Sequence, residues 1–161
     1  MRPKPHLLLL AVLLIGLLPA QPAQLLNKKA LSLEVAKKVA AAAEEFARKN
    51  KWNVAVAVLD DGAHLLYFQR MDEVQIGSIE VCLRKAESAV KFKRPSKVFS
   101  DGVASRPQLI GLPGALPFEG GVPLVYQGEV IGAIGVSGAT AEQDGMIAQA
   151  GADALAKILG Q

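Results

Sequence analysis

Apolar and polar positions follow two rhythms along this chain, and the switches between them mark its elements. Leu33, Ala36, Val39, Ala40, Ala43, Phe46 and Ala47 recur at steps of three and four, which predicts a helix over residues 32–50. Ser32 is placed to cap it, with Glu34 near its positive end. Residues 53–59 are then almost continuously apolar and rich in valine, the composition of a buried strand. Asp60-Asp61-Gly62 predicts a hairpin turn, and residues 63–69 the returning strand, carrying His64, Tyr67 and Phe68.

The helical rhythm returns over residues 76–93. Ile79, Cys82, Leu83, Ala86, Ala89 and Val90 form an apolar face, and Arg84, Lys85, Glu87 and Lys91 a polar one. Pro95 ends this helix, and a short helix is expected over residues 96–104. Pro107, Pro113 and Pro117, with Gly111 and Gly114, make residues 105–117 a shaped loop with one short strand near Leu109 and Ile110. Residues 122–127 and 130–137 read as a second hairpin about Gly128. A last helix over residues 140–159 opens with a Thr140–Gln143 capping box. Hairpins separated by helices predict an α/β fold of the α+β type: a single antiparallel sheet of about five strands flanked by helices.

The first residues do not follow either rhythm. A short basic stretch containing Arg2 and Lys4 precedes an apolar run from Leu7 to Leu18, and small residues and prolines follow. This is the layout of a secretory signal peptide, too short for a membrane span. The expected organisation is a leader at 1–23, a linker at 24–31 and one domain at 32–161. The expected location is periplasmic or secreted, with no membrane span once the leader is removed.

The leader also changes the charge. The full chain has 18 Lys+Arg against 15 Asp+Glu, and Arg2 and Lys4 leave with the leader, so 16 basic and 15 acidic residues remain. That balance gives no electrostatic case for nucleic acid. Cys82 is the only cysteine, so no intrachain disulfide forms, and its place on an apolar face makes it a small core residue.

The block from Phe118 to Asp144 holds glycines at 120, 121, 128, 132, 135 and 138. Gly132, Gly135 and Gly138 lack the spacing of a phosphate-binding loop, so close helix–strand packing is their expected role. Gly120 and Gly121 stand at the strand's entrance, where Glu119 and free backbone N–H groups face a ligand or simply form a turn.

With these elements placed, the chain resembles the GlcG/HbpS family, also called the haem-degrading or DUF336 family, which includes the C-terminal domain of PduO-type proteins. The matching segments are Val58 to Leu66 (Val-Leu-Asp-Asp-Gly-Ala-His-Leu-Leu), Arg70-Met71-Asp72, Arg84 to Val90, Gly120 to Pro123, Ile131 to Gly138, Ala141 to Asp144 and Ala148 to Gly151. Together they span nearly the whole of the expected domain. The resemblance implies a compact α/β domain, homo-oligomers, and haem as the best-known ligand, with corrinoid binding associated with PduO-type relatives. It departs from relatives that carry an axial haem histidine near the first helix. Residues 32–50 contain none, and His64 is the one histidine after the leader.

Several residues are candidates for chemistry. Arg70 stands where a strand ends and suits a carboxylate or haem propionate; the alternative is a structural pair with Asp72. Ligand-binding candidates are Arg70, Met71, Lys85, Phe118, Glu119, Gly120 and Gly121, with Arg106 as a further cation. Asp72 and Glu119 are the candidate general bases if there is catalysis. His64, Met71 and Tyr126 are weak candidates for a haem ligand, with Tyr67 behind them. One histidine and one distant cysteine cannot build a zinc site. The first expectation is an exported protein that binds a small molecule, haem or a related tetrapyrrole. The alternatives are a small enzyme acting on an organic acid or in haem breakdown, and a structural accessory subunit of an exported redox system.

Overall fold

The computed structural model describes residues 23–160; the leader expected at 1–23 lies almost wholly outside the described residues. Residues 23–32 carry no helix or strand. The elements that follow are α1 (Leu33–Lys49), β1 (Ala55–Asp60), β2 (Leu65–Arg70), α2 (Gly77–Phe92), α3 (Lys97–Gly102), β3 (Gly121–Tyr126), β4 (Glu129–Ser137) and α4 (Ala141–Ile158). The short strand expected near Leu109 is instead a 3-10 helix, Pro107–Gly111. Pro107 opens that turn, and the segment gains no neighbouring strand. The single antiparallel sheet therefore has four strands among the described residues, in the order β2-β1-β4-β3.

Local chemistry starts and stops these elements as their residues dictate. The Ser32 hydroxyl accepts from the Val35 N–H, and Thr140 and Gln143 form the reciprocal capping box of α4. Asp60 Oδ1 accepts from the N–H groups of Gly62 and His64, closing the first hairpin. Gln127 and Gly128, with φ of 50° and 82°, form the two-residue second turn, the geometry that matches strand twist. His64 lies in the first turn, just before β2 and not on it, because its backbone is spent on the Asp60 bonds.

The two faces of the sheet are built differently. Val56 and Val58 of β1, with Ile134 and Val136 of β4, pack in the main core with α1 and α4. On the other face Gly121, Gly135 and Ala57 lie side by side across β3, β4 and β1. A side chain at Gly135 would overlap the Cys82 carbonyl, and one at Gly121 the Lys85 carbonyl. The small residues thus let the α2 backbone lie directly on the strands, as the glycine spacing predicts. Gly132 and Gly138, also expected to serve helix packing, meet no helix: the Leu59 backbone and Leu31 side chain stand at Gly132 and the Asn53 backbone at Gly138, because β4 there faces its neighbouring strand and loops. Cys82 is fully buried in this contact, donates to the Ile79 carbonyl, and is pushed up to about 12 by burial. Leu33, expected on the buried face of α1, is exposed at the helix's first position.

Candidate functional site

A cleft of about 480 Å³ opens where β3 begins, within the size range of small-molecule pockets. Its floor is backbone: Gly120 and Gly121 from the strand entrance and Gly145 from α4. Phe46 of α1, Val122, Met146 and Ala150 supply apolar walls, and Lys97, Glu119, Gln149 and Asp153 the polar rim.

The floor is held from below by one hydroxyl. Ser96 is fully buried; its Oγ donates to the Phe118 carbonyl at 2.6 Å and accepts from the Gly121 N–H at 2.9 Å. The Ser96 N–H donates to the Gly121 carbonyl, and the Val136 N–H to the Gly120 carbonyl. Gly120 has a φ of 125°, and a side chain there would press on the Val136 carbonyl and the Lys85 ammonium. The bare backbone at 120 and 121 is therefore required by what lies behind it.

Lys85 lies behind that floor. It is 2 % exposed, and its Nζ donates to Asp144 Oδ2 at 2.7 Å. This corrects its expected place on the polar face of α2. Lys85 follows Cys82 by three residues and precedes Ala89 by four, so helical geometry sets it on the buried stripe. The carboxylate that makes this tolerable comes from α4, 59 residues away in sequence. Asp144 Oδ1 also accepts from the Ala139 N–H. Burial pushes the Asp144 carboxyl up, against the pull of Lys85 and of that N–H.

Glu119 is seated with equal care. Its carboxylate rests against Gly145, where any side chain would overlap it, and Lys97 Nζ donates to Oε2 at 3.0 Å. Lys97 also bonds Asp101, and the two carboxylates raise its ammonium above the ordinary lysine range. Glycine inside a helix costs about 1 kcal/mol relative to alanine. Here it makes the notch that holds a carboxylate on the cleft wall. Farther along α4, Gln149 donates to Asp153 at 2.6 Å. Between these polar ends Met146 lines the cleft and is 52 % exposed.

The sequence candidates divide between separate places. Glu119, Gly120 and Gly121 line the cleft; Lys85 supports it from behind; Phe118 is exposed beside it and bonds Ser96 through its carbonyl. Arg70, Met71 and Asp72 lie at the end of β2, in a hollow of about 160 Å³ shared with Glu44 and Arg48. Strands β2 and β3 are opposite edges of the sheet, three strand spacings or about 14 Å apart. Among the described residues no ion pair joins Arg70 to Asp72, and the Met71 side chain is buried in the core. His64 is exposed, with Nδ1 3.3 Å from Asp60 Oδ2. Tyr126 stands at the far end of β3 beneath Lys29. Tyr67 bonds Gln69 on β2, and Arg106 packs at Gly102. Among the described residues no three His, Cys, Asp or Glu side chains gather to hold a metal ion, and no helix is long and apolar enough to cross a membrane.

Ser96, Lys97, Asp144 and Met146 carry the site without having been singled out for it. Asp144 belonged to a matching segment, but nothing in its spacing pointed to Lys85. Met146 carried one legible signal, an apolar residue off the buried stripe of α4.

Comparison with known proteins gives one consistent answer. A family model described as haem degrading protein HbpS-like matches residues 31–153. Protein GlcG of Escherichia coli is 41 % identical over 112 residues, covering 69 % of this chain and 84 % of that protein. The crystal structure of an HbpS double mutant from Streptomyces reticuli superposes with a TM-score of 0.77 at 36 % identity, covering 84 % of this chain and 94 % of that one. The crystal structure of a PduOC–haem complex gives a TM-score of 0.70 at 30 % identity, covering 78 % of this chain and 95 % of that one.

Proposed function

We propose a function from one premise: this chain belongs to the HbpS-like family. Within it, the protein binds haem or a related tetrapyrrole in the cleft at the entrance of β3. The carrying observation is the make-up of that cleft, a floor of glycine backbone beneath apolar walls with a half-exposed methionine, Met146, among them. A flat macrocycle would lie over the backbone of Gly120 and Gly121, between the apolar walls of Phe46, Val122, Met146 and Ala150. Methionine sulfur can hold haem iron, so Met146 would be the residue to hold it, and Lys97, at the rim between Glu119 and Asp101, would be the cation nearest a propionate. Bound iron would supply redox chemistry; the chain's own part is to seat the ring and limit water around it. A haem complex of a structural neighbour supports the reading.

The leader's layout supports export, and we place the protein in the periplasm or outside the cell as a homo-oligomer. The absorbance spectrum of protein taken from its natural compartment tests the ligand. A Soret band is expected. Protein that carries none there, and takes up none on titration, contradicts the proposal.

A second reading rests on Glu119. A carboxylate fixed in a helix notch and oriented by a lysine is suited to move a proton on a bound organic acid or tetrapyrrole. Turnover that disappears in Glu119→Gln while ligand affinity holds would favour this reading.

A further inference from the structure

At the opposite end of β3 from the cleft, a second hollow of about 570 Å³ is larger than the cleft itself. One wall is the irregular segment before α1, which is tied down at three points. Lys28 pairs with Asp61 in the first hairpin turn. Lys29 Nζ donates to Gln127 Oε1 at 2.7 Å and stands 4.4 Å over the Tyr126 ring. Leu31, 6 % exposed, fills the space left by Gly132. The segment thus lies across both hairpin tips as a strap.

The strap brings Lys28 and Lys29 to a hollow that Lys93 also lines, at the end of α2. Lys93 has a φ of 52°, and its ammonium makes no hydrogen bond or ion pair among the described residues. Lys28 is spent on Asp61, so Lys29 and Lys93 are the cations left to the hollow, against one lining carboxylate, Glu129. The remaining wall is apolar: Leu26, Val125 and Val130, of which the first two are strongly exposed. Cations at the rim of an apolar wall match an amphipathic anion, with its head on the lysines and its body along the valines.

We propose that this hollow is a second ligand site, for an organic anion with an acidic head and an aliphatic body, and that the strap completes it. The site is distinct in place and chemistry from the haem cleft and does not depend on it. Isothermal titration of the folded chain, leader removed, with decanoate tests it. Saturable binding that weakens with added salt is expected. Lys29→Gln with Lys93→Gln should weaken it at least tenfold, Lys93→Glu alone should do as much, and Met146→Ala should leave it unchanged. Circular dichroism of each variant confirms that it is folded. Absence of saturable binding, equal affinity in the lysine variants, or loss with Met146→Ala instead would overturn the proposal. Haem uptake is not the readout, so the two sites stand or fall separately.

Discussion

The Lys85 ammonium lies 2.7 Å from the Asp144 carboxylate in the interior, tying α2 to α4 behind the backbone of Gly120. Both side chains are nearly removed from solvent. Breaking such a pair leaves an uncompensated buried charge, at a cost of about 3–5 kcal/mol. Lys85→Met should therefore lower stability by about that amount in urea unfolding. The double change Lys85→Met with Asp144→Asn should recover part of the loss. Equal stability of Lys85→Met and wild type would show that the pair is not needed.

Backbone contact across the sheet makes a sharper prediction. Gly135→Ala and Gly121→Ala each drive a methyl group into an α2 carbonyl, whereas Gly128→Ala meets nothing and suffers only its positive φ. The first two should cost about 3 kcal/mol or more, and the third about 1–2 kcal/mol. Comparative denaturation midpoints will rank them.

Cys82 should be inert in the native protein. It is fully buried and held up to about 12, so the reactive thiolate is scarce and shielded. Iodoacetamide should add no mass to folded protein and one carbamidomethyl group after unfolding. Rapid labelling of the native state would contradict the packing of α2 on β4.

Glu44 gives a pH dependence with a definite sign. The hydrogen bond from Arg48, 2.9 Å at Nε, holds its carboxyl below the ordinary glutamate range. A depressed carboxyl stabilises above its unfolded pKa, and that contribution is lost as pH falls through the folded value. The group is partly exposed, so the effect is at most about 1 kcal/mol. Arg48→Ala should be less stable than wild type at neutral pH, and the gap should close as pH falls below the ordinary glutamate range. A gap independent of pH would assign the loss to packing instead.

Much of the fold was legible because period and capping agree along this chain. The valines of β1, the Thr140–Gln143 box and the turn at Gly128 each admit one structure, and Gly135 marked the close packing of α2, whereas Gly132 and Gly138 answer to Leu31 and the Asn53 backbone. Leu109 and Ile110 misled because two adjacent apolar residues fit a strand or a 3-10 turn equally well. The site was less legible. Gly120, Gly121 and Glu119 stood out at a strand entrance, and Lys85 stood out as a ligand candidate on the polar face of α2, since no local pattern reveals a carboxylate 59 residues distant. Ser96 matters through tertiary placement alone, and Met146 showed only as an apolar residue off the buried stripe of α4. Arg70 looked suited to the same ligand, but strand order puts it at the opposite edge of the sheet.

Haem titration of the wild-type chain beside Met146→Ala, followed at the Soret band, tests the central claim most directly. The predicted result is a saturable spectral change in wild type and binding weaker by about tenfold, with an altered band, in the variant. A wild-type protein that shows no saturable change, or a variant whose spectrum and affinity match it, would contradict haem binding by Met146 in the cleft at the entrance of β3.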